Sequence, residues 1–435
     1  MKELLAYTLE QAVAQGADTA EAGLSDGSGL SVNVRLGEVE TLEYHQDRGL
    51  GVTVYMGKHK GSSSSSDYSH KAIREVVKAA CDIARYTGED DAHGLADGDL
   101  MAQDIPDLDL YHPWDIAVDD AIDLAKSCED AARAEDARIT NSEGASISTY
   151  QGLSMYGNTH GFMAGYPTTR HSMSCSVIGS IDDEMERDYW YSTSRLPAEV
   201  EAPESIGKHA AQRTLRRLGG RRIDTQSVPV ILAADIAPSL LGNFIAAIRG
   251  GNLYRESSFL LDHLGKKIFP DFVHIYEQPR LLRALGSATF DSEGVATADR
   301  RDLIEQGVLQ SYVLNSYSAR RLQMETTANA GGVRNLTVTS GEYDLPQMLK
   351  EMGTGLLVTE LMGQGVNIVT GDYSRGAAGF WVEHGEIQYP VHEITIAGNL
   401  RDMFSGIVAV GNDVEMRGNT RTGSIWLESM MIAGS

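Results

Sequence analysis

The chain has 435 residues, 42% of them hydrophobic, which is enough for a sizeable core and for two or three domains. Against 61 Asp and Glu stand only 37 Lys and Arg, a formal net charge of −24. That balance argues against nucleic acid as a main partner, because a phosphate backbone rewards clustered Lys and Arg, and it disfavours an anionic membrane surface.

Residues 2–15 space Leu4, Leu5, Leu9 and Val13 as one face of a helix, without the unbroken apolar core of a signal peptide. Strand-like alternation follows at 19–24, 30–36, 39–45 and 50–55, with glycine-containing turns between, the pattern of an antiparallel meander. The low-complexity tract 61–67 reads as a flexible loop or an exposed strand. Asp67 or Ser69 can cap a helix over 70–86 whose apolar face is Ile73, Val76, Val77, Ala80, Ile83 and Ala84. Residues 86–125 contain no Lys or Arg and many acids, with no Asp-x-Asp-x-Asp-Gly calcium loop, so a solvated acidic loop is expected. A helix over 118–134, strands at 145–150, 161–165, 172–178 and 188–192, and a helix over 203–218 complete the first half. The glycine-rich basic joint 219–222 divides the chain into an N-terminal α+β domain, 1–221, and a C-terminal domain, 222–435. The second domain opens with a strand at 228–232 and a helix over 236–248. Short strands such as 308–314, 356–361, 380–382 and 407–410 then suggest a β-rich, barrel-like body. The fold class expected is α+β: an antiparallel sheet with flanking helices, then the barrel-like domain.

Most chemical templates fail at a named residue. Residues 23–27 match Gly-x-Ser-x-Gly, but an alternating stretch follows where a nucleophile elbow needs a helix, so a hairpin turn is the better reading. In 372–376, Asp372 stands where that motif needs Gly. Ser374 as a nucleophile would require His384 or His392 nearby. The other reading is a loop in which Asp372 and Arg375 fix turns or bind a partner chain or peptide, with Arg375 suited to a carboxylate. Gly363 and Gly365 lack the third glycine and the helix of a dinucleotide loop, and no Gly-x-x-x-x-Gly-Lys occurs. His-Glu-x-x-His is absent. The three cysteines, Cys81, Cys128 and Cys175, form no Cys-x-x-Cys pair, which fits a reducing cytoplasm.

The most densely specified stretch is 354–400, TGLLVTELMGQGVNIVTGDYSRGAAGFWVEHGEIQYPVHEITIAGNL. It resembles the signature of the PmbA (TldE) branch of the TldD/PmbA family. Segments 290–294 (FDSEG), 327–332 (TANAGG) and 407–413 (IVAVGND) resemble further family segments. The resemblance implies a subunit of a cytoplasmic two-chain metalloprotease acting on unfolded or flexible peptides, including peptide-antibiotic precursors and an antitoxin. An older family name, modulator of DNA gyrase, implies the alternative of a gyrase-binding regulator. The TldD-type partner carries His-Glu-x-x-x-His on a helix and a distant cysteine, which together hold zinc. Here Gly242, Asn243 and Ala247 occupy the corresponding positions, and 415–419 supply no cysteine. Gly and Ala cannot ligate, and Asn is a poor base. The expectation is therefore a chain with no metal of its own, zinc in the TldD-type partner, and a homodimer as the form open to it in isolation. Gly363, Gly365, Asp372, Tyr373, Ser374 and Arg375 would form the surface for partner or peptide.

Overall fold

The computed structural model describes residues 1–434. Helix α1 (Lys2–Ala14) turns Leu5, Leu9 and Ala12 inward and leaves Val13, expected on the same face, 52% exposed. Strands β1 (Thr19–Arg35), β2 (Glu38–Met56) and β3 (His59–Ser65) follow, then α2 (His70–Tyr86), α3 (Val118–Ala134), β4 (Ile139–Asn158), β5 (Met163–Ile181), β6 (Glu184–Ser194) and α4 (Pro203–Arg217). The six strands make one antiparallel sheet in the order β3-β2-β1-β4-β5-β6. In β1, Ala20, Ala22 and Leu24 join α1 and α2 in one core, while Leu30, Val32 and Val34 join α3 and α4 in another. All six share the same parity, so both helix pairs cover one face, at opposite ends of the long strands. In α2 the Ser69 hydroxyl caps the Ala72 amide. Cys81 is buried there, while Ile83, expected inside, is 47% exposed.

Three expectations are corrected in this half. Residues 19–24 and 30–36 are parts of one strand of 17 residues, and 39–45 and 50–55 of one of 19. The stretch 23–27, expected as a hairpin turn, lies mid-strand with Ser25 opposite Gly49 and Ser154. The turn is at Leu36 and Gly37, whose φ values are 52° and 81°. Glycine within these strands serves close approach: a Cβ on Gly29 would lie 2.0 Å from the Thr149 carbonyl oxygen. The serine tract forms β3, the exposed-strand alternative. Residues 88–117 are a packed strap, not a solvated loop. Leu95, Ala96, Met101, Ala102, Leu108 and Leu110 are buried while Asp97, Asp99, Asp104 and Asp107 face solvent. The strap's backbone is stitched to the second half: Ala102 donates to Gly294, Ala296 to Leu100 and Arg283 to Leu108.

The second half contains β7 (Gln226–Leu232), α5 (Pro238–Ala247), α6 (Gly250–Leu253), β8 (Ile275–Glu277), β9 (Arg301–Glu305), β10 (Val308–Leu309), α7 (Ser316–Arg321), β11 (Leu336–Val338) and α8 (Leu345–Met352). It continues with β12 (Gly355–Met362), β13 (Asp372–Glu383), β14 (Glu386–Asn399), α9 (Leu400–Ser405), β15 (Ile407–Val410), β16 (Thr420–Arg421) and β17 (Ile425–Ala433). Strands β14, β13, β12, β7 and β17 pair in sequence, and β17 returns to β14 through Thr395–Ala433, Ile396–Ile432 and Ala397–Met431. The result is a closed five-stranded barrel, with β7 and β12 parallel and the other pairs antiparallel. A smaller sheet, β10-β9-β8-β11-β16, stands beside it. The fold is thus α+β, an antiparallel sheet with flanking helices followed by a barrel. Residues 372–379, expected as a loop, are the first part of β13. No helix of the described residues is long and apolar enough to cross a membrane.

Candidate functional site

Helix α5 starts on Pro238, which loses nothing at a first-turn position, and buries Leu240, Leu241, Phe244 and Ala247 at helical spacing. At its end the chain turns a corner into α6. The corner is pinned to the segment before α7: Gly250 N–H donates to Val313 O (2.9 Å) and Val313 N–H to Ile248 O (3.1 Å). Helix α7 begins with a capping box in which the Asn315 side chain accepts from the Ser318 amide and the Ser318 hydroxyl serves the Asn315 amide. Asn329, Ala330 and Gly331 supply a third wall. Between the walls lies a cavity of about 300 Å³ lined by Arg249, Gly250, Tyr254, Arg255, Asn315 and Tyr317, among others.

Buried carboxylates hold these walls in place. Asp291, 1% exposed, accepts from the amides of Glu293 (2.9 Å), Val295 (3.0 Å) and Ala330 (2.9 Å). Burial pushes its carboxyl up to about 6, against the opposing pull of those amides. Glu277 accepts twice from the Asn329 side chain (3.0 and 3.1 Å) and once from the Arg334 amide (3.0 Å). Segments 290–294 and 327–332 are therefore one hydrogen-bonded wall. The strap reaches over α7: Tyr317 donates its hydroxyl to Asp90 (2.7 Å), and Arg320 donates to the carbonyls of Ala92, Gly94 and Leu95. From the first half, Glu21 accepts from the hydroxyls of Tyr55 (3.0 Å) and Tyr156 (2.8 Å). Burial lifts the Glu21 carboxyl above its ordinary range, and the nearby charge of Glu293 adds to the shift. Reading the residues one by one did not single out Asp291, Glu21, Arg249 or Arg255. The signal available was the resemblance carried by 290–294 and 327–332.

The residues singled out beforehand fall into two places. Gly242, Asn243 and Ala247 lie on α5, but on different sides: Gly242 is exposed, Asn243 half-buried and Ala247 fully buried, its carbonyl accepting from the Ser258 hydroxyl (2.6 Å). None offers a donor that suits zinc. Among the described residues no three His, Cys, Asp or Glu side chains are grouped to hold a metal ion. The second set lies on the return between β12 and β13. There Ser374 N–H donates to Gly365 O (2.7 Å) and Phe259 N–H to Ile368 O (2.9 Å), which ties the return to the segment after α6. Gly363, Gly365, Asp372 and Ser374 are exposed, and Asp372 accepts from the Thr370 hydroxyl (2.6 Å). Tyr373, expected at a contact surface, is a barrel-core residue only 3% exposed. Half-buried Arg375 hydrogen-bonds it. No histidine stands by Ser374, whose cross-strand neighbour is Ala397. His384 lies at the far end of β13, roughly 30 Å along the strand, and His392 is engaged with Glu186 (3.2 Å).

Three family models match in chain order: PmbA/TldA metallopeptidase domain 1 over 20–84, the central domain over 111–218 and the C-terminal domain over 225–434. The chain belongs to the PmbA/TldD family. It is 52% identical over 434 residues to the Escherichia coli O157:H7 protein named metalloprotease PmbA, covering 100% of this chain and 96% of that one. A metalloprotease PmbA homolog of Haemophilus influenzae is 51% identical over 439 residues, covering 100% and 96%. The Haemophilus TldD homolog is only 22% identical over 409 residues, with 87% and 82% covered. Among solved structures, a proposed DNA gyrase modulator from Bacteroides thetaiotaomicron superposes with a TM-score of 0.95 at 29% identity, covering 100% and 99%. TldE from Thermococcus kodakarensis shares the fold, with a TM-score of 0.83 at 19% identity and 99% and 100% covered. Within the PmbA/TldD family, then, this chain sits far nearer the PmbA relatives than the TldD ones.

Proposed function

We propose that this chain is the non-metal-binding subunit of a two-chain TldD/TldE-type metalloprotease that degrades or processes unfolded and flexible peptides, such as peptide-antibiotic precursors or an antitoxin, in the cytoplasm. One observation carries the reading. On α5, Gly242, Asn243 and Ala247 provide neither ligand nor general base, in a family whose relatives are named metalloproteases. Zinc hydrolysis needs three protein ligands and a base for the bound water, so the partner must bring both. The exposed return 363–372, with Met362 at 43% and Val369 at 54% exposure, is the surface assigned to that partner. Co-purification with a TldD-type chain tests this: a stable complex with zinc in the partner alone and peptidase activity from the pair is expected. Stoichiometric zinc and chelator-sensitive peptidase activity from this chain by itself would overturn it.

A further inference from the structure

We propose that the cleft between the α5–α6 corner and the 329–331 turn binds a carboxylate of an extended peptide, either its C-terminus or an Asp or Glu side chain. The choice of a peptide as the carrier rests on the proposed protease function. The binding chemistry rests on the cleft alone.

In a chain with 61 Asp and Glu, no carboxylate lines this cavity. Two guanidiniums do, and neither has an acidic partner. Arg249 is exposed and engages no protein acceptor with its side chain. Arg255 lies 5.0 Å over the Tyr254 ring, and its Nη1 is 3.9 Å from where a Gly251 Cβ would stand, so it folds back across the corner. The charged cavity around Trp190 is the opposite case. There Arg213 pairs with Asp188 and Asp235, Arg217 with Glu186 and Glu360, and Arg417 with Glu415. The remaining polar side chains of the cleft are already committed: Asn315 and Ser318 to each other, Tyr317 to Asp90 and Asn329 to Glu277. The Gly331 amide has no acceptor among the described residues. What is left over is a set of donors, two of them planar cationic forks that match a carboxylate in two-point geometry.

The test uses the full chain and a fluorescently labelled Gly/Ser peptide in three forms: free acid, C-terminal amide, and amide with one internal Glu. Anisotropy titration should show the free acid, the internal-Glu amide or both binding about tenfold or more tighter than the plain amide. The form that gains identifies the carboxylate source. Arg249→Gln with Arg255→Gln should abolish the preference while leaving the melting temperature unchanged, since neither guanidinium holds a protein acceptor. Equal binding of all three peptides, or a preference that survives the double substitution, would overturn the proposal. Co-elution with a TldD-type chain is scored separately. Its failure in the wild type would sink the two-chain reading, whereas a carboxylate preference would still uphold the cleft.

Discussion

Replacing Asp291 by Ala removes the acceptor of three buried amides at once, those of Glu293, Val295 and Ala330. An orphaned buried donor costs about 1–3 kcal/mol, so the three together come to roughly 6 kcal/mol before relaxation. The wild type, however, keeps a carboxylate in a site that raises its pKa from 3.8 to about 6. That shift amounts to a burial penalty of about 3 kcal/mol when the group is charged. At pH 8 the substitution removes this penalty too, and the net loss is about 3 kcal/mol. The sign of the pH dependence follows from the raised pKa. The native state holds the extra proton between about pH 4 and 6, so Asp291 lowers stability as pH rises through that window and adds nothing further above it. The gap between wild type and Asp291→Ala should therefore widen by about 1 kcal/mol between pH 8 and pH 5. In Asp291→Asn the oxygen can serve two amides while its Nδ2 confronts the Ala330 N–H, so a loss near that of one orphan donor is expected, with no pH slope from this site. Urea unfolding of the three proteins at pH 5, 6.5 and 8 measures all of this. A gap that does not move with pH, or one below about 1 kcal/mol for the Ala variant, would refute the reasoning.

Two further outcomes are expected. Arg195, 6% exposed, donates to the carbonyls of Ala284 (3.0 Å), Thr169 (3.0 Å) and Leu285 (2.8 Å), joining the N-terminal sheet to the second half. Arg195→Met should cost about 2–4 kcal/mol, read as a lowered urea midpoint. In Gly365→Ala the new Cβ would fall 1.9 Å from the Ser374 carbonyl oxygen. The return must then shift, at a cost of about 1–3 kcal/mol, and hydrogen exchange at the Ser374 amide should quicken. Unchanged exchange would show that the return is not held by that contact.

Helices were legible in the sequence because their signals are local. The spacing of Ile73, Val76, Val77, Ala80 and Ala84, with Ser69 before it, is enough to bound α2. The long strands were not, because glycine carries two messages. At 23–29 and in 372–379 it reads as a turn, yet in the fold it lets a neighbouring backbone or side chain approach an unbroken strand. The acidic strap was misread for a related reason. Its charges dominate the composition, but the residues between them, from Leu95 to Leu110, alternate inward and are paid for by contacts with Phe162, Phe290 and Val295 that lie far away in sequence. The cleft was least legible of all. Asp291, Glu277 and Asn329 act through side-chain bonds to distant backbone, which has no period, so only resemblance marked their segments.

The closed barrel has a consequence for how the chain is made. Its seam is formed by β17, the last strand of the described chain, which must slot between β7 and β14 with Ile432 opposite both Gln226 and Ile396. During synthesis β7 leaves the ribosome long before its partner exists, so a nascent or interrupted chain presents two open sheet edges at once. Such edges readily recruit foreign strands. Loss of the final strand would thus act less like trimming a tail than like unzipping the barrel.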